Sequence, residues 1–457
     1  MQWGKNIGRW TSLVAFSWLI AGCATTAQML PQYEAKFRAG DFKGAKEVSK
    51  GVSNDILWSL QEATALQMQK EYAASIQTFD GVDSAFKKYD EQLLLGSAAQ
   101  NVGAVLINDT IMDYEGMTYD KVMTNTYKAM NFMLLNDHAN ARVEFNRALE
   151  RQKMAQEYFE KEIAIQEKKI AEEKAQNQQK NITVGQSKEA DSIIAQNYKF
   201  LDAYEKYPNF NNPFVNYMAG LYFLKMKDYQ KAVDMLKEAY GMTKNPLIEH
   251  DLNVCLNALS GKVDAKTYAH IIYESGYASK KKDWKIALPI PIRHSNHWQV
   301  YMPSLALPTL EPVLDEVPYI NIVNGDFKSS TFKIASMDGV IASEFEKRFP
   351  AILTRAIMRT TTDLVLQKIA ADKGNVLAQV GVGLVGVLKN NSDVRSWQSL
   401  PKNFSALKVP LSNGVLEIYD AQGRLLVSDS VDVSKNYIYV VRTYNTQGGV
   451  YYDKVAF

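Results

Sequence analysis

Two arginines, Arg355 and Arg359, have the type and spacing to bind an anion. Because residues four apart share one face of a helix, their guanidinium groups could together hold a carboxylate or a phosphate. Arginine pairs on helices also commonly meet Asp and Glu side chains of their own fold, and the sequence leaves both interpretations open. Further along, Arg395 and Trp397 offer a cation close to an aromatic ring. We name these four side chains as candidate partner-binding residues.

Trp397 lies between a glycine-rich stretch and a series of predicted strands. An indole at such a junction usually fills the seam between layers, and this is the interpretation that we favour. The alternative is an exposed ring that stacks on a sugar or on a partner protein.

The sequence carries no recognisable catalytic motif. It has no Gly-x-Ser-x-Gly, no His-Glu-x-x-His and no phosphate loop that ends in lysine. His294 and His297 form the one close pair of histidines, and no acidic or cysteine residue lies beside them to complete a metal site. We therefore predict a protein that is not an enzyme and that binds neither a metal ion nor another cofactor.

Residues 374–388 are glycine-rich and apolar, and Gly381, Gly383 and Gly386 have the spacing of a dinucleotide fingerprint. No Lys-Ser or Lys-Thr pair follows them, and Asp393 comes too soon after the glycines to bind a ribose. The apolar run is also too short to span a bilayer. We predict a helix that packs closely through its glycines, with a flexible apolar flap as the alternative.

Cys23 closes a chemically distinctive stretch at the start of the chain. Lys5 and Arg9 precede an apolar run from Leu13 to Ile20, which is typical of a signal peptide and too short to span a bilayer comfortably. The last four residues of the stretch, Ile-Ala-Gly-Cys, resemble the bacterial lipobox. The resemblance implies that the residues before Cys23 are removed, that its thiol is alkylated with diacylglycerol and that the new amine is acylated.

With residues 1–22 removed as a lipoprotein signal peptide, residues 23–32 would form a lipidated tether. Several acyl chains anchor a protein to a membrane almost irreversibly, whereas a single chain binds only marginally. Ala24 follows the cysteine, and in similar lipoproteins an Asp at this position favours retention in the inner membrane. We therefore predict an outer-membrane location that faces the periplasm. A plain signal peptide or an N-terminal anchor helix is the alternative.

Composition places the chain among ordinary globular proteins. Of its 457 residues, 46% are apolar and 22% are charged, which is enough apolar material for two or three domains. The formal net charge of +2 disappears when Lys5 and Arg9 leave with the signal peptide, and a neutral chain is poorly suited to nucleic acid. Cys255 is the one other cysteine, so we predict no disulfide in the mature monomer and a buried position on a helix.

Residues 213–240 indicate how the first half is organised. Helix-forming sequence on either side of Lys227 predicts two antiparallel helices that approach closely at the small residues Gly220 and Ala232. The pattern resembles a tetratricopeptide repeat, and weaker copies begin near residues 33, 56 and 127. Such repeats stack into surfaces that bind other proteins. We therefore predict a tetratricopeptide-like helical domain over residues 33–259, with an unrelated helical bundle as the alternative.

Two further predictions concern this helical domain. Asn216 and Tyr217 lie on the first helix of the pair, and we name them as candidate partner-binding residues. Residues 148–179 follow the third copy with many Glu and Lys side chains, which predicts a long exposed helix supported by opposite charges three or four apart. A coiled-coil contact is the alternative for that helix.

From residue 260 onward the pattern changes to short β-branched runs separated by Pro, Gly and Asn, which predicts strands. A helix over residues 341–371, broken at Pro350, interrupts them. Alternating runs follow from Phe404, and we expect the strand that ends at Phe457 to close a soluble sheet rather than a membrane barrel. The predicted fold class is therefore multidomain: an all-α helical-repeat domain followed by an α+β domain over residues 260–457 that ends in an antiparallel β meander.

The chain resembles a family of bacterial envelope lipoproteins whose N-terminal halves are similar to tetratricopeptide repeats. The resemblance covers most of the mature chain and rests on the lipobox at Cys23 and on segments 131–135, 141–148, 212–217 and 393–397 with Leu400-Pro401. It implies a role in assembly of the cell envelope or its wall.

We therefore expect an outer-membrane-anchored periplasmic scaffold that binds an envelope protein or peptide and touches the membrane through its acyl chains. The alternative is an envelope enzyme or a glycan-binding protein whose site surrounds Arg355, Arg359, Arg395 and Trp397 in the C-terminal domain.

Overall fold

The first half of the chain is helical, in line with its 3.6-residue apolar spacing. The computed structural model describes residues 29–50, 55–94, 113–179, 182–262, 265–294, 297–372 and 391–457. The predicted signal peptide, Cys23 and the glycine-rich residues 374–388 therefore lie outside the described residues. The helices of this half are 29–38 (α1), Phe42–Lys50 (α2), Ile56–Met68 (α3), Tyr72–Leu94 (α4), Thr118–Leu134 (α5), His138–Gln179 (α6), Lys188–Asn197 (α7), Pro213–Lys225 (α8), Tyr229–Thr243 (α9) and Pro246–Leu259 (α10).

Four helical hairpins share one turn geometry. In each turn one residue adopts left-handed backbone angles, and the N–H of the next residue bonds to the carbonyl oxygen five positions back at 2.9 to 3.0 Å. The left-handed residues are Gly40, Lys70, Asn136 and Lys227. An acid follows each of them, and its carbonyl oxygen accepts the N–H of a buried small residue on the second helix: Ala45, Ser75, Ala141 and Ala232. The hairpins predicted near residues 33, 56, 127 and 213 therefore all form, with equivalent turns.

The four turns lie at one end of the helical half, which we call the turn end. Three side-chain contacts join neighbouring hairpins there: Gln69 with Phe42, Asn131 with Ser75, and Arg142 with Asp228. Since α1 ends and α6 begins at the turn end, the first residue of α1 and the last residue of α6 are both directed toward the opposite end of the molecule.

The second half is rich in strands, which occur where the β-branched runs predict them. Ile182–Val184 (β1) comes from the helical half. The others are Tyr268–Ser275 (β2), Lys280–Ala287 (β3), Ile290–His294 (β4), His297–Tyr301 (β5), Ser304–Glu311 (β6), Asn321–Asn324 (β7), Phe327–Ser330 (β8), Phe332–Ser336 (β9), Asn403–Pro410 (β10), Val415–Tyr419 (β11), Leu425–Ser430 (β12), Tyr437–Thr443 (β13) and Val450–Ala456 (β14).

The described strands form four sheets, in the orders β14-β13-β2-β10-β9, β12-β11-β7-β8, β1-β4-β5 and β3-β6. All of these pairs are antiparallel except β13 beside β2, which is parallel. The prediction of one closing meander is therefore wrong: the last five strands are divided between two sheets, and β2 separates β13 from β10. The final strand, β14, lies at the edge of its sheet, beside β13.

Helices and strands share one hydrophobic core. Phe214 of α8 stacks on Phe404 of β10 with ring centroids 3.8 Å apart. Trp397 packs against Phe79 and Tyr127 of the helical half with centroids 5.9 and 5.8 Å away. The face of the helical half that carries these residues is therefore covered by strands and loops of the same chain.

Two long helices differ from the expectation. The helix of the second half, Met337–Asp372 (α11), is continuous through Pro350, so the predicted break is absent. The α6 helix is also continuous, but it is not solvated all round, because Ala155, Phe159 and Asn177 are buried. The Asn177 amide donates to Thr362 Oγ1 of α11 at 3.0 Å. The prediction of an exposed helix over 148–179 is corrected accordingly: one face packs against the second half.

No helix among the described residues has both the length and the apolar character needed to cross a membrane.

Candidate functional site

A shallow cleft between α4, α5, α6 and α11 is partly open to solvent. Val122, Ala155 and Phe159 give it a buried apolar floor. The remaining walls are mostly charged or polar, and they include Asp90, Thr118, Lys121, Arg151, Tyr158, Glu162 and Arg348.

The two long helices position one wall of the cleft. Glu162 and Asn177 of α6 contact Arg348 and Thr362 of α11 in the same order along both helices, so the helices run parallel. The spacing of Ala148, Gln152, Ala155 and Phe159 gives α6 the buried stripe on which this packing depends.

Arg348 is the centre of a buried ion-pair network at this wall. Its guanidinium donates to Glu162 Oε2 at 3.0 Å and lies 2.6 Å from Glu344 Oε1. Glu344 in turn accepts the backbone N–H groups of Thr118 and Tyr119 at 3.0 and 3.3 Å. A carboxylate at the first turn of α5 satisfies donors that have no partner within the helix and complements the helix dipole. The network therefore joins α5, α6 and α11.

Electrostatics favours the charged form of Glu162. Burial alone would raise the pKa of this carboxyl, but the charge and hydrogen bond of Arg348, together with the neighbouring cations, hold the pKa below its usual range. Lys121 and Arg355 add to the same effect. Glu162 therefore stays ionised at neutral pH, although it lies in a largely buried position.

The opposite wall of the cleft is also ion-paired. The Lys121 ammonium lies 2.5 Å from Asp90, and Arg151 lies 2.6 Å from Asp83 and donates to Asn125 Oδ1 at 2.7 Å. Because its cations already have carboxylate partners, the cleft is better suited to a polypeptide, which offers both charges and apolar side chains, than to a lone anion.

Arg355 and Arg359 lie one turn apart on α11, and both are partly buried. Each takes part in an interaction, so neither guanidinium is free. Arg355 lies close enough to Glu162 to help lower the pKa of that carboxyl, but neither arginine is among the residues that line the cleft.

Arg395 and Trp397 are not part of the cleft wall. Arg395 forms a two-point pair with Asp393, at 2.9 and 3.0 Å, and its guanidinium lies 5.6 Å from the Tyr114 ring centroid. The Trp397 indole is 2% exposed, and its N–H donates to Thr64 Oγ1 at 2.9 Å and Ser399 Oγ at 3.0 Å. The favoured interpretation of Trp397 as a seam residue is confirmed.

Asn216 and Tyr217, named from the sequence as candidate partner-binding residues, are fully buried. The Asn216 side chain bonds to Gln152 and Glu238. The Tyr217 hydroxyl donates to Asp251 Oδ2 at 3.1 Å, and burial raises the pKa of this tyrosine well above its usual value. In this structure both side chains therefore bond within the fold and offer no surface to a partner.

Asp251 is the acceptor of a second buried cluster, between α10, β2 and β10. Its Oδ1 lies 3.1 Å from Lys408 Nζ and 3.3 Å from His270 Nε2. Burial would raise the pKa of Asp251, but these partners hold it well below the usual range. Cys255, one turn further along α10, is buried and free, and burial raises the pKa of its thiol to about 12. A thiol with such a pKa is a packing residue at neutral pH, as expected.

The described residues contain no group of three or more His, Cys, Asp and Glu side chains arranged to hold a metal ion.

Sequence reasoning missed Glu162, Glu344 and Arg348. Glu162 and Arg348 are 186 residues apart, so no local pattern links them. The one available signal was the apolar stripe of α6, whose helical spacing predicts a buried face and hence a partner for the charges beside it.

No family model matches this chain, and comparisons with curated proteins and with solved structures find no match either.

Proposed function

We propose that this chain is an outer-membrane-anchored lipoprotein that faces the periplasm and works as a protein-binding scaffold in cell-envelope or wall assembly. Its partner is an envelope protein or peptide, and its membrane contact is made by acyl chains on Cys23. The observation that carries the proposal is the set of four helical hairpins with equivalent turns. Repeated helical hairpins commonly build surfaces for other proteins.

One face of the hairpins is closed to a partner, because strands and loops of the same chain cover it. Phe214, Phe79 and Tyr127 contribute to this shared core and are fully buried. The cleft between α4, α5, α6 and α11 remains open and combines an apolar floor with paired charges. This composition resembles that of protein interfaces, which have apolar centres and polar rims. We therefore assign the partner's contact to this cleft.

Site-specific photo-crosslinking tests the assignment. Tyr158 is partly exposed on the cleft wall, and Tyr319 is 39% exposed before β7 in the second half. A benzophenone amino acid in place of Tyr158 should give one discrete adduct in intact envelopes, whereas the same probe in place of Tyr319 serves as the matched control. Mass spectrometry then identifies the adduct.

The assay separates the scaffold from its alternative. A protein adduct at position 158 that is absent at position 319 supports binding in the cleft. Equal adducts at both positions, or none at position 158, would contradict the assignment. Enrichment of wall fragments instead of protein would favour the glycan-binding alternative.

A further inference from the structure

In the small sheet β1-β4-β5, one face of β1 and β4 is buried, whereas the edge strand β5 is exposed. Ile182, Ile290 and Ile292 lie on the inner face and belong to the shared core. On the outer side, Trp298, Val300 and Met302 are 56%, 60% and 62% exposed. Trp298 and Val300 alternate along β5 and therefore lie on the same side of the strand, and Met302 follows directly after the strand ends. We call this exposed surface the tip.

The Trp298 indole packs against the neighbouring backbone at this surface. A Cβ atom at Gly185, which follows β1, would lie 2.8 Å from Trp298 Cζ3. Gly185 is not among the glycines with positive φ, so its lack of a side chain makes room for the indole rather than for a turn. The Arg293 guanidinium lies 5.7 Å from the ring centroid. The ring therefore packs against Gly185 and lies beside Arg293, with more than half of its surface in solvent.

The segment that carries the tip has charges of one sign along its own sequence. Between Asp283 and Glu311 the chain contains no acidic residue, whereas Lys285 and Arg293 both lie within this stretch and are exposed. A surface with an exposed Trp, aliphatic side chains and cations has the composition of protein segments that enter the interface of an anionic bilayer.

The position of the tip also suits contact with a membrane. The β1 strand begins three residues after the end of α6, so the tip lies at the end of the molecule opposite the turn end. The first residue of α1 is directed toward that end as well. Residues 23–28, which separate Cys23 from the first described residue, reach roughly 20 Å when extended.

The distance between tether and tip is compatible with a shared membrane. At the start of β3, Lys280 Nζ lies 3.1 Å from Glu34 of α1. The eight residues of β3 then carry the chain roughly 27 Å toward β4 and β5. The five residues of α1 before Glu34 and the tether together span a similar roughly 27 Å, so acyl chains on Cys23 and the side chains of the tip can reach one bilayer surface when the molecule is tilted against it.

The size of the tip argues against a second copy of the chain as the occupant. Its three exposed apolar side chains offer roughly 300 to 400 Å². A stable dimer needs about 800 Å² from each partner. A bilayer has no such requirement here, because the acyl chains supply the anchoring.

We propose that the tip is a second membrane contact, in which Trp298, Val300 and Met302 enter the headgroup region of a bilayer that carries anionic lipid. The proposal rests on the lipid anchoring proposed above. Contact at the tip fixes the orientation of the long helices α6 and α11, and hence of the cleft beside them, relative to the membrane.

Fluorescence quenching by brominated lipid tests this contact. After loss of residues 1–22 the chain retains four tryptophans, Trp58, Trp284, Trp298 and Trp397, of which Trp58 and Trp397 are at most 2% exposed. Full-length protein purified from envelopes is reconstituted into vesicles of phosphatidylethanolamine and phosphatidylglycerol with brominated acyl chains. Emission is compared with that on the same vesicles without bromine.

We expect brominated lipid to quench part of the wild-type emission, and we expect Trp298→Phe to remove most of that quenching. The double variant Val300→Ser with Met302→Ser should reduce it as well, because both changes weaken the apolar contact. Leu314→Ser is the matched control, since Leu314 is 81% exposed outside the small sheet, and it should leave the quenching unchanged. Replacing phosphatidylglycerol by uncharged lipid should reduce the quenching.

Acylation of Cys23 is measured separately, by mass spectrometry of the N-terminal peptide. Acylated protein that floats with the vesicles but shows equal quenching in wild type and Trp298→Phe overturns the tip alone. Absent acylation overturns the proposed anchoring. In that case, quenching at Trp298 of the unacylated protein still supports the tip as a membrane contact, and loss of this quenching overturns it. Shielding of Trp298 that requires an added envelope protein would also overturn the bilayer as occupant.

Discussion

Gly220→Ala is expected to destabilise the protein, although alanine is the better helix former. Gly220 lies in α8 and faces α9 at close range. A Cβ atom added there would be 2.8 Å from Leu236 Cγ, 2.9 Å from Leu236 Cδ2 and 3.3 Å from Met235 Cβ. Carbon atoms in contact normally lie roughly 3.5 to 4.0 Å apart. Leu236 is fully buried, so it cannot swing into solvent to relieve the clash.

Two opposing effects set the magnitude. Replacing glycine by alanine within a helix contributes about 1 kcal/mol of stability. Overpacking of a filled core costs roughly 1 to 3 kcal/mol. The clash should win, with a net loss of up to about 2 kcal/mol. Gly220→Leu should cost more, because its longer side chain has no space between the helices.

Gly241 provides the matched control. It lies near the end of α9, is exposed, and a Cβ atom there would meet no atom within 4 Å. Gly241→Ala should therefore gain about 0.5 to 1 kcal/mol from the same chemical change. Urea denaturation followed by far-ultraviolet circular dichroism compares the variants with wild type. If Gly220→Ala stabilises the chain as Gly241→Ala does, the close packing of α8 on α9 is wrong.

Three other predictions use the same kind of measurement or simple fractionation. Trp397→Ala should lower the free energy of unfolding by roughly 3 to 5 kcal/mol. Trp298→Ala, at an exposed indole, should change it by less than about 1 kcal/mol. Similar losses of stability in the two variants would contradict the burial of Trp397. Burial raises the pKa of Asp120 to about 7, so the folded chain holds a proton that the unfolded chain releases near pH 4, and stability falls as pH rises between these values. Asp120→Asn should flatten that fall by up to about 1.4 kcal/mol per pH unit, and unchanged slopes would refute the raised pKa. Cys23→Ser should remove palmitate label and outer-membrane association, and unchanged fractionation would refute lipidation at this residue.

Local features of the fold could be predicted from the sequence because they depend on neighbouring residues. The turn after α8 is an example: Lys227 adopts left-handed angles, and Asp228 begins the next helix with Ala232 packed beneath it. Helix ends and small packing residues leave a signal within a few positions. For the same reason the positions of most strands could be predicted from alternating β-branched runs.

Long-range pairing could not be predicted. The sequence marks β13 and β10 as strands, but it carries no signal that both pair with β2, which precedes them by more than a hundred residues. The same holds for the candidate site, where Arg355 and Arg359 were chosen for their spacing and Arg348 was overlooked. Arg348 acquires its role from Glu162 and Glu344, which meet it when α6 and α11 pack.

Because Arg348 depends on partners from other parts of the chain, the ion-pair network contributes to the specificity of helix packing. A buried ion pair adds little net stability, because the loss of hydration offsets most of the attraction, but an unpaired buried charge is costly. Sliding α11 by one turn along α6 would separate Arg348 from Glu162 and would remove Glu344 from the first turn of α5. The network therefore favours one register between the two long helices over its neighbours. Because Glu162 and Arg348 both line the cleft, that register also determines the composition of this wall of the cleft.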